Sequence, residues 1–285
     1  MKPVLFMAFG QSVHSYSLLV GLASVVGVAV GMALGRRDGR PWRDLVDLGV
    51  VVIIGGFLGA KVFHTLFEAA GHELTDGRRA TGVLELLADD PWHWARLFEP
   101  GYVFYGAVVG GFLIGWFFMV RRALPDKWSV GDYATPGLLI GVMLGRIGCF
   151  LGGCCYGRES DVPWAVSFPT GHAVAGVPVH PVQLYDSLYG ALGLVVVVLL
   201  YRKRRFGGEA LCAFFASYAL YRFSTELFRA DADRGLWLGG ALSTSQLVAL
   251  ATLPLTVFAW RRGLRLVRAG RIRKPSDPLP SEDPA

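Results

Sequence analysis

The chain has 285 residues, of which 53% are hydrophobic and 18% charged; soluble domains carry about 25% charged residues. With 37 glycines and a mean hydropathy of +0.44, this excludes a disordered chain, a disulfide-rich secreted module and a coiled coil. The net charge of +6 would suit nucleic acid, but the positions of the basic residues speak for membrane topology and anionic headgroups instead.

A helix needs about 20 mostly apolar residues to cross the ~30 Å hydrocarbon core. The run Val4–Phe9 is too short for a signal peptide, and no small-residue cleavage site follows it. The first span is read at Tyr16–Leu34. Gly27, Gly31 and Gly35 recur there every fourth residue, a spacing that lets helix backbones approach closely in lipid. The second span is Leu45–Phe67, with Lys61 and His64 one turn apart, and the acidic loop Glu68–Pro100 follows. The third, Val103–Val120, carries the packing pairs Gly106/Gly110 and Gly111/Gly115. The fourth, Tyr133–Leu151, and the sixth, Leu211–Phe228, are the most interrupted by polar residues. The fifth is Leu184–Tyr201 and the seventh Leu242–Trp260. Open sheets cannot span lipid, and barrel-type alternation is absent. The expectation is therefore an all-α, polytopic membrane protein of seven transmembrane helices. Residues 1–264 would form one integral-membrane domain. Residues 265–285 would form a tail, basic and then rich in Pro and acidic residues, without fixed structure.

Eighteen of the 28 Lys and Arg residues follow the odd-numbered spans, and seven lie in the other loops. Positive charge marks the cytoplasmic side, which puts the N-terminus outside and the C-terminus inside. The remaining three, Lys61, Arg146 and Arg222, lie within spans or at their mouths.

An arginine at mid-bilayer costs roughly 2.5–3.5 kcal/mol on insertion scales, and it is retained where it meets a partner, a wet cavity or an anion. Arg146 opens the segment Gly145-Arg-Ile-Gly-Cys-Phe-Leu-Gly-Gly-Cys-Cys-Tyr-Gly-Arg158. Helical spacing predicts that Tyr218, Arg222, Glu226 and Arg229 share one face. Glu226 can pair with Arg222 or Arg229. Two guanidiniums against one carboxylate leave a surplus suited to a phosphate, which a guanidinium grips with two parallel bonds. Cys149, Cys154, Cys155 and Cys212 show neither zinc spacing nor a CxxC pair. They are read as small packing residues, and no metal or cofactor is expected. His14 and His180 flank outer ends of spans, where either a base or a helix-end hydrogen bond is in place. His72, His93 and His172 fall in loops.

The segment Gly145–Arg158 resembles the signature of bacterial prolipoprotein diacylglyceryl transferases. So do Trp164-Ala-Val-Ser-Phe-Pro169, His180-Pro-Val-Gln-Leu-Tyr-Asp186, the Tyr-Arg-Phe-x-x-Glu-x-x-Arg run at Tyr221–Arg229, Ser245-Gln246 and Gly59-Ala-Lys61. The likeness runs from about Tyr16 to Trp260 and includes the topology read from the charges. It implies an inner-membrane enzyme that moves the diacylglyceryl group of phosphatidylglycerol to the lipobox cysteine thiol of a prolipoprotein signal peptide. A thioether forms and glycerol phosphate leaves. Arg146, Arg222 and Tyr105 would be catalytic. Tyr16, Gly153, Gly157, Tyr218, Glu226 and His180 would join Arg146 in binding substrate. Its partners would be these two substrates and membrane lipid, with no nucleic acid.

One departure stands out: Tyr105 occupies the place where many members have a His before Gly106. A Tyr of pKa ~10 is a poor base at neutral pH. Three other readings compete: a divergent paralogue using another lipid or acceptor, a binder or transporter of an anionic lipid, and a membrane thiol oxidoreductase. The lack of repeats, which many transporters show, weighs against the transporter.

Overall fold

The computed structural model describes residues 3–8, 11–67, 104–122, 127–170, 172, 174–229, 236–237, 242–272 and 274–275. The acidic loop, with His72 and His93, and the end of the tail lie outside them. Among the described residues the chain is mostly helical: α1 Ser15–Arg37, α2 Trp42–Phe67, α3 Phe104–Arg121, α4 Lys127–Gly152, α5 Val182–Leu200, α6 Glu209–Thr225 and α7 Thr244–Arg268. Each of the seven segments read from hydropathy is a helix. Five of them, α1, α2, α4, α5 and α7, are long and apolar enough to cross a membrane. Within α3, the stretch Gly106–Arg121 is apolar but shorter. Helix α6 has 17 residues, roughly 25 Å at 1.5 Å per residue. The chain is thus a polytopic, helical membrane protein.

Among the described residues, three two-stranded antiparallel pairs accompany the helices: Val4–Ala8 with Gln11–His14, Val166–Ser167 with Pro178–Val179, and Leu236–Trp237 with Leu242–Ser243. Two segment ends shift accordingly. Leu242 and Ser243, read as the start of the seventh span, are strand, and α7 begins after them. Ser243 accepts from the Gln246 backbone N–H while the Gln246 side chain accepts from the Ser243 N–H, a reciprocal capping box that satisfies two groups a helix start leaves open. The sixth segment was read through Phe228, but α6 stops at Thr225 and a 3-10 turn runs over Glu226–Phe228.

Two compact units are present, Met1–Arg40 with Asp126–Ala285, and Pro41–Pro125. In the first, α4 is central and its neighbours approach it through glycine. A Cβ at Gly27 would stand 2.8 Å from Gly137 Cα, and one at Gly31 2.8 Å from the Tyr133 carbonyl. A Cβ at Gly190 of α5 would meet the Leu139 carbonyl at 2.8 Å. In the second unit, α2 and α3 touch backbone to backbone: a Cβ at Gly110 would lie 2.3 Å from the Gly55 carbonyl and 2.6 Å from Gly59 Cα. The small-residue spacing is thus the packing code expected of it. Leu188, Leu192, Val195 and Leu199 line one stripe of α5, and each is more than half exposed. A contiguous apolar face of this kind has lipid as its natural solvent.

Under α6 lies a buried polar staple. Asp132 is fully buried and accepts from the backbone N–H groups of Gly208, Ala210 and Leu211 at 2.9, 2.8 and 3.2 Å. Those donors belong to the start of α6, where orphan N–H groups favour an anion. Arg204 joins Asp132 (2.9 Å) to Asp38 (2.7 Å), and its guanidinium lies 3.6 Å above the Tyr201 ring. Arg204 therefore has a structural duty beyond the topology role read from its place in a basic cluster.

Candidate active site

The site is built on the Gly152 end of α4, the start of α5 and the end of α6. Arg146 stands on α4 two turns before that end. Its Nε meets Asp186 Oδ2 at 3.1 Å, and the Tyr221 hydroxyl donates to Asp186 Oδ1 at 2.8 Å. Asp186 is buried while the Arg146 side chain keeps 23% exposure. The carboxylate thus pairs with Arg146 on the Nε side as an ion pair, away from the terminal Nη1/Nη2 edge of the fork. Tyr189 stacks on Tyr221 with ring centres 4.3 Å apart, and its ring centre lies 5.8 Å from that of Tyr218. This aromatic packing fixes the Tyr221 hydroxyl that steadies Asp186.

The residue after Tyr221 carries the second guanidinium. Arg222 Nη1 pairs with Glu226 Oε2 at 2.8 Å, and Nη2 donates to Ser245 Oγ of α7 at 3.1 Å. Both side chains are largely buried. The two arginine centres are therefore linked along α6 by Tyr221 and Arg222.

Two sequence expectations are corrected here. The balance of two guanidiniums against one carboxylate omitted Asp186, which supplies Arg146 with its own partner. An intramembrane Asp at the start of an apolar span is the signal that pointed to it. Arg229 does not lie on the α6 face, because the helix ends before it. It has extended backbone (φ −88°, ψ 149°) and forms a bridge with Gly157.

The loop after α4 is stitched to the end of α6. Gly157 N–H donates to the His180 carbonyl at 2.9 Å, His180 N–H to the Arg158 carbonyl at 3.0 Å, and Arg158 N–H to the Phe228 carbonyl at 2.8 Å. At Gly157 a Cβ would stand 2.6 Å from both His180 Cβ and the Phe228 carbonyl. The glycine is required by this close approach. The His180 Nδ1 lies 3.1 Å from the Tyr185 hydroxyl, which accepts from Trp164 Nε1 at 2.7 Å. The His180 ring sits edge-on to Phe228. Gly153 has φ +77°, and its carbonyl is bonded to His172 Nε2. Tyr16 reaches the site from the first turn of α1, its Cα placed where a Cβ on Gly148 would come within 2.9 Å. The structure thus gathers Arg146, Tyr16, Gly153, Gly157, Tyr218, Arg222, Glu226 and His180 in one unit. Tyr105 lies in the first turn of α3, in the other unit, and its side chain is outside the described residues.

Spacing alone concealed a thiol cluster. The sulfurs of Cys149, Cys154 and Cys155 all lie within 4.8 Å of one another. Cys149 is buried at the end of α4, Cys155 is half-buried and Cys154 exposed. The chain is brought round by left-handed backbone at Gly153 and at Cys155, whose φ is +60°. The Cys155 thiol is drawn well below its ordinary value. Hydrogen bonds from the Cys149 and Cys154 thiols are the main cause, and the charges of Arg146 and Arg229 add to them.

The fold and site together define a polytopic helical membrane protein with two part-buried arginines, each paired with a buried carboxylate. A family model described as prolipoprotein diacylglyceryl transferase matches residues 3–261. A phosphatidylglycerol–prolipoprotein diacylglyceryl transferase of Solidesulfovibrio magneticus is 33% identical over 246 residues, covering 84% of this chain and 86% of the relative. One from Geobacter sulfurreducens is 32% identical over 272 residues, 91% and 96% of the two chains. The Clostridium perfringens protein named transferase 2 is 31% identical over 259 residues, 89% and 92%. The chain belongs to the prolipoprotein diacylglyceryl transferase family, and it is a transferase.

Proposed function

We propose that this protein transfers the diacylglyceryl group of phosphatidylglycerol to the lipobox cysteine of prolipoprotein signal peptides in the bacterial inner membrane. All seven helices would cross the bilayer, with the N-terminus outside and the C-terminus in the cytoplasm, as the loop charges direct. Residues 1–264 form the membrane domain and 265–285 its tail, into which the last turn of α7 runs. In the reaction the acceptor sulfur bonds to the glyceryl carbon, the bond from that carbon to the phosphate oxygen breaks, and glycerol phosphate departs with the electron pair. The acceptor thiol loses its proton.

The observation that carries this reading is Arg146. It lies in a span, is fixed by Asp186 through Nε, and retains a fork edge for a phosphate. Developing charge on the leaving phosphate would be met by a preorganised cation in a low-dielectric site. Arg222, oriented by Glu226 and Ser245, supports that charge from α6. Tyr16, Tyr218, His180, Gly153 and Gly157 are assigned to substrate binding, and Tyr105 to orienting substrate. Incubating the purified protein with phosphatidylglycerol and a lipobox peptide, followed by mass spectrometry, tests the proposal. The expected product is the peptide carrying a diacylglyceryl thioether. An unmodified peptide with intact, folded protein overturns it.

A further inference from the structure

The Cys149, Cys154 and Cys155 sulfurs have no part in the transfer chemistry described above. We infer that they form a three-thiolate site for a soft divalent cation of the zinc class. Zinc–sulfur bonds are about 2.3 Å, so sulfurs sharing one tetrahedral zinc stand roughly 3.8 Å apart. Three sulfurs already within 4.8 Å of one another reach that spacing by small side-chain rotations. Cys149 supplies a ligand fixed in the last turn of α4, and exposed Cys154 provides the path of entry. Cys155 holds a left-handed backbone, a conformation that non-glycine residues adopt only where the surroundings hold them in it. The Cys154 carbonyl is pinned by the Gln183 side-chain amide at 2.7 Å, so the turn carrying two of the ligands is anchored to α5. Three thiolates around a divalent cation leave one net negative charge. The fourth position is left to solvent, as in zinc sites with three protein ligands.

The site is tested with reduced, metal-free protein in detergent, using cobalt(II) as the probe and zinc as its competitor. No lipid or peptide is present, so failure here leaves the transfer reaction untouched, and the reverse also holds. The expected result is one cobalt per chain, thiolate-to-cobalt charge-transfer absorption, and its loss when zinc is added. The double variant Cys154→Ser/Cys155→Ser should bind more than ~100-fold more weakly, beyond the range for outer-shell partners alone. Cys212→Ser, outside the cluster, should keep full stoichiometry. Should the double variant fail to fold, alkylation of the parent by N-ethylmaleimide decides: zinc should protect Cys154 and Cys155 at least tenfold. Absorption equal in parent and double variant, or alkylation rates unchanged by zinc, overturns the site.

Discussion

Asp186→Asn separates positioning from charge at the Arg146 centre. The buried carboxylate holds two partners, Arg146 Nε at 3.1 Å and the Tyr221 hydroxyl at 2.8 Å. Asparagine has the same shape. Its amide can donate to the Tyr221 oxygen and its carbonyl can stay beside Nε, so the shape is kept with the charge removed. A hydrogen bond to a charged acceptor is worth about 1.5–3 kcal/mol and a neutral one about 0.5–1.5. The loss in Arg146 placement is then about 1–2 kcal/mol, or a 5- to 30-fold fall in kcat. Asp186→Ala breaks the buried pair outright, for which about 3–5 kcal/mol is usual. Partial exposure of Arg146 places it at the lower end, about a hundredfold in rate, with a lowered thermal midpoint. The assay is the initial rate of thioether formation, with KM for the peptide measured alongside. A positioning role lowers kcat and spares KM. An Asn variant at the parental rate refutes the positioning argument. One that folds normally and is as inactive as a variant lacking Arg146 assigns Asp186 to the chemistry itself.

Arg146→Ala should abolish transfer in a protein that still inserts and folds, and Arg146→Lys should recover part of it, because an ammonium lacks the two-pronged grip; mass spectrometry of the peptide product reads both. Gly110→Val would force a side chain to within 2.3 Å of the Gly55 carbonyl, and parting two backbones costs at least the ~1–3 kcal/mol of ordinary overpacking, so the protein should show a lower melting temperature and yield. A reporter active only in the cytoplasm should work when fused after Trp260 and fail when inserted at Gly77; the opposite pattern overturns the topology. Tyr105→Phe should slow transfer only a few-fold, about 1 kcal/mol for a lost hydrogen bond, whereas a thousandfold loss would make the phenol part of the chemistry.

The helices were legible because lipid imposes one rule on the sequence: about 20 apolar residues per crossing, every backbone group satisfied within the helix. Packing between them was legible because close approach permits only small side chains, as at Gly27, Gly31 and Gly110. What local pattern could not supply is distance across the chain. Asp186 was visible as an intramembrane carboxylate, yet its partner lies 40 residues earlier on another helix. Arg229 was placed on a helical face by spacing, but the chain leaves the helix at Thr225 to bridge Gly157. Arg204 looked like one more cytoplasmic arginine, and only the fold reveals Asp38 and the buried Asp132 on either side of it. The thiol cluster escaped for the same reason, since its geometry depends on the left-handed turns at Gly153 and Cys155 rather than on residue spacing.

The absence of a histidine at position 105 asks less of the site than it first suggests. A thiol of pKa ~8.5 lies about 1.5 units above neutral pH, so bringing it to half ionisation requires about 2 kcal/mol. A guanidinium about 4 Å from the sulfur supplies about 4 kcal/mol at an effective dielectric of 20, enough without any dedicated base. The harder demand is the leaving group, whose charge grows as the carbon–oxygen bond breaks. A lone cation in lipid would meet that demand poorly, because it would seek any nearby anion and adopt no fixed pose. Asp186 solves this by binding Nε and leaving the fork edge directed. Tyr221 and Tyr189 hold Asp186 in turn, and Glu226 with Ser245 does the same for Arg222. Each arginine therefore has a carboxylate that orients it and offsets part of its charge in the resting state. The field becomes available as negative charge develops on the departing phosphate, where differential stabilisation lowers the barrier. On this reasoning the carboxylates, and not a base at position 105, are the residues whose loss should most resemble the loss of the arginines themselves.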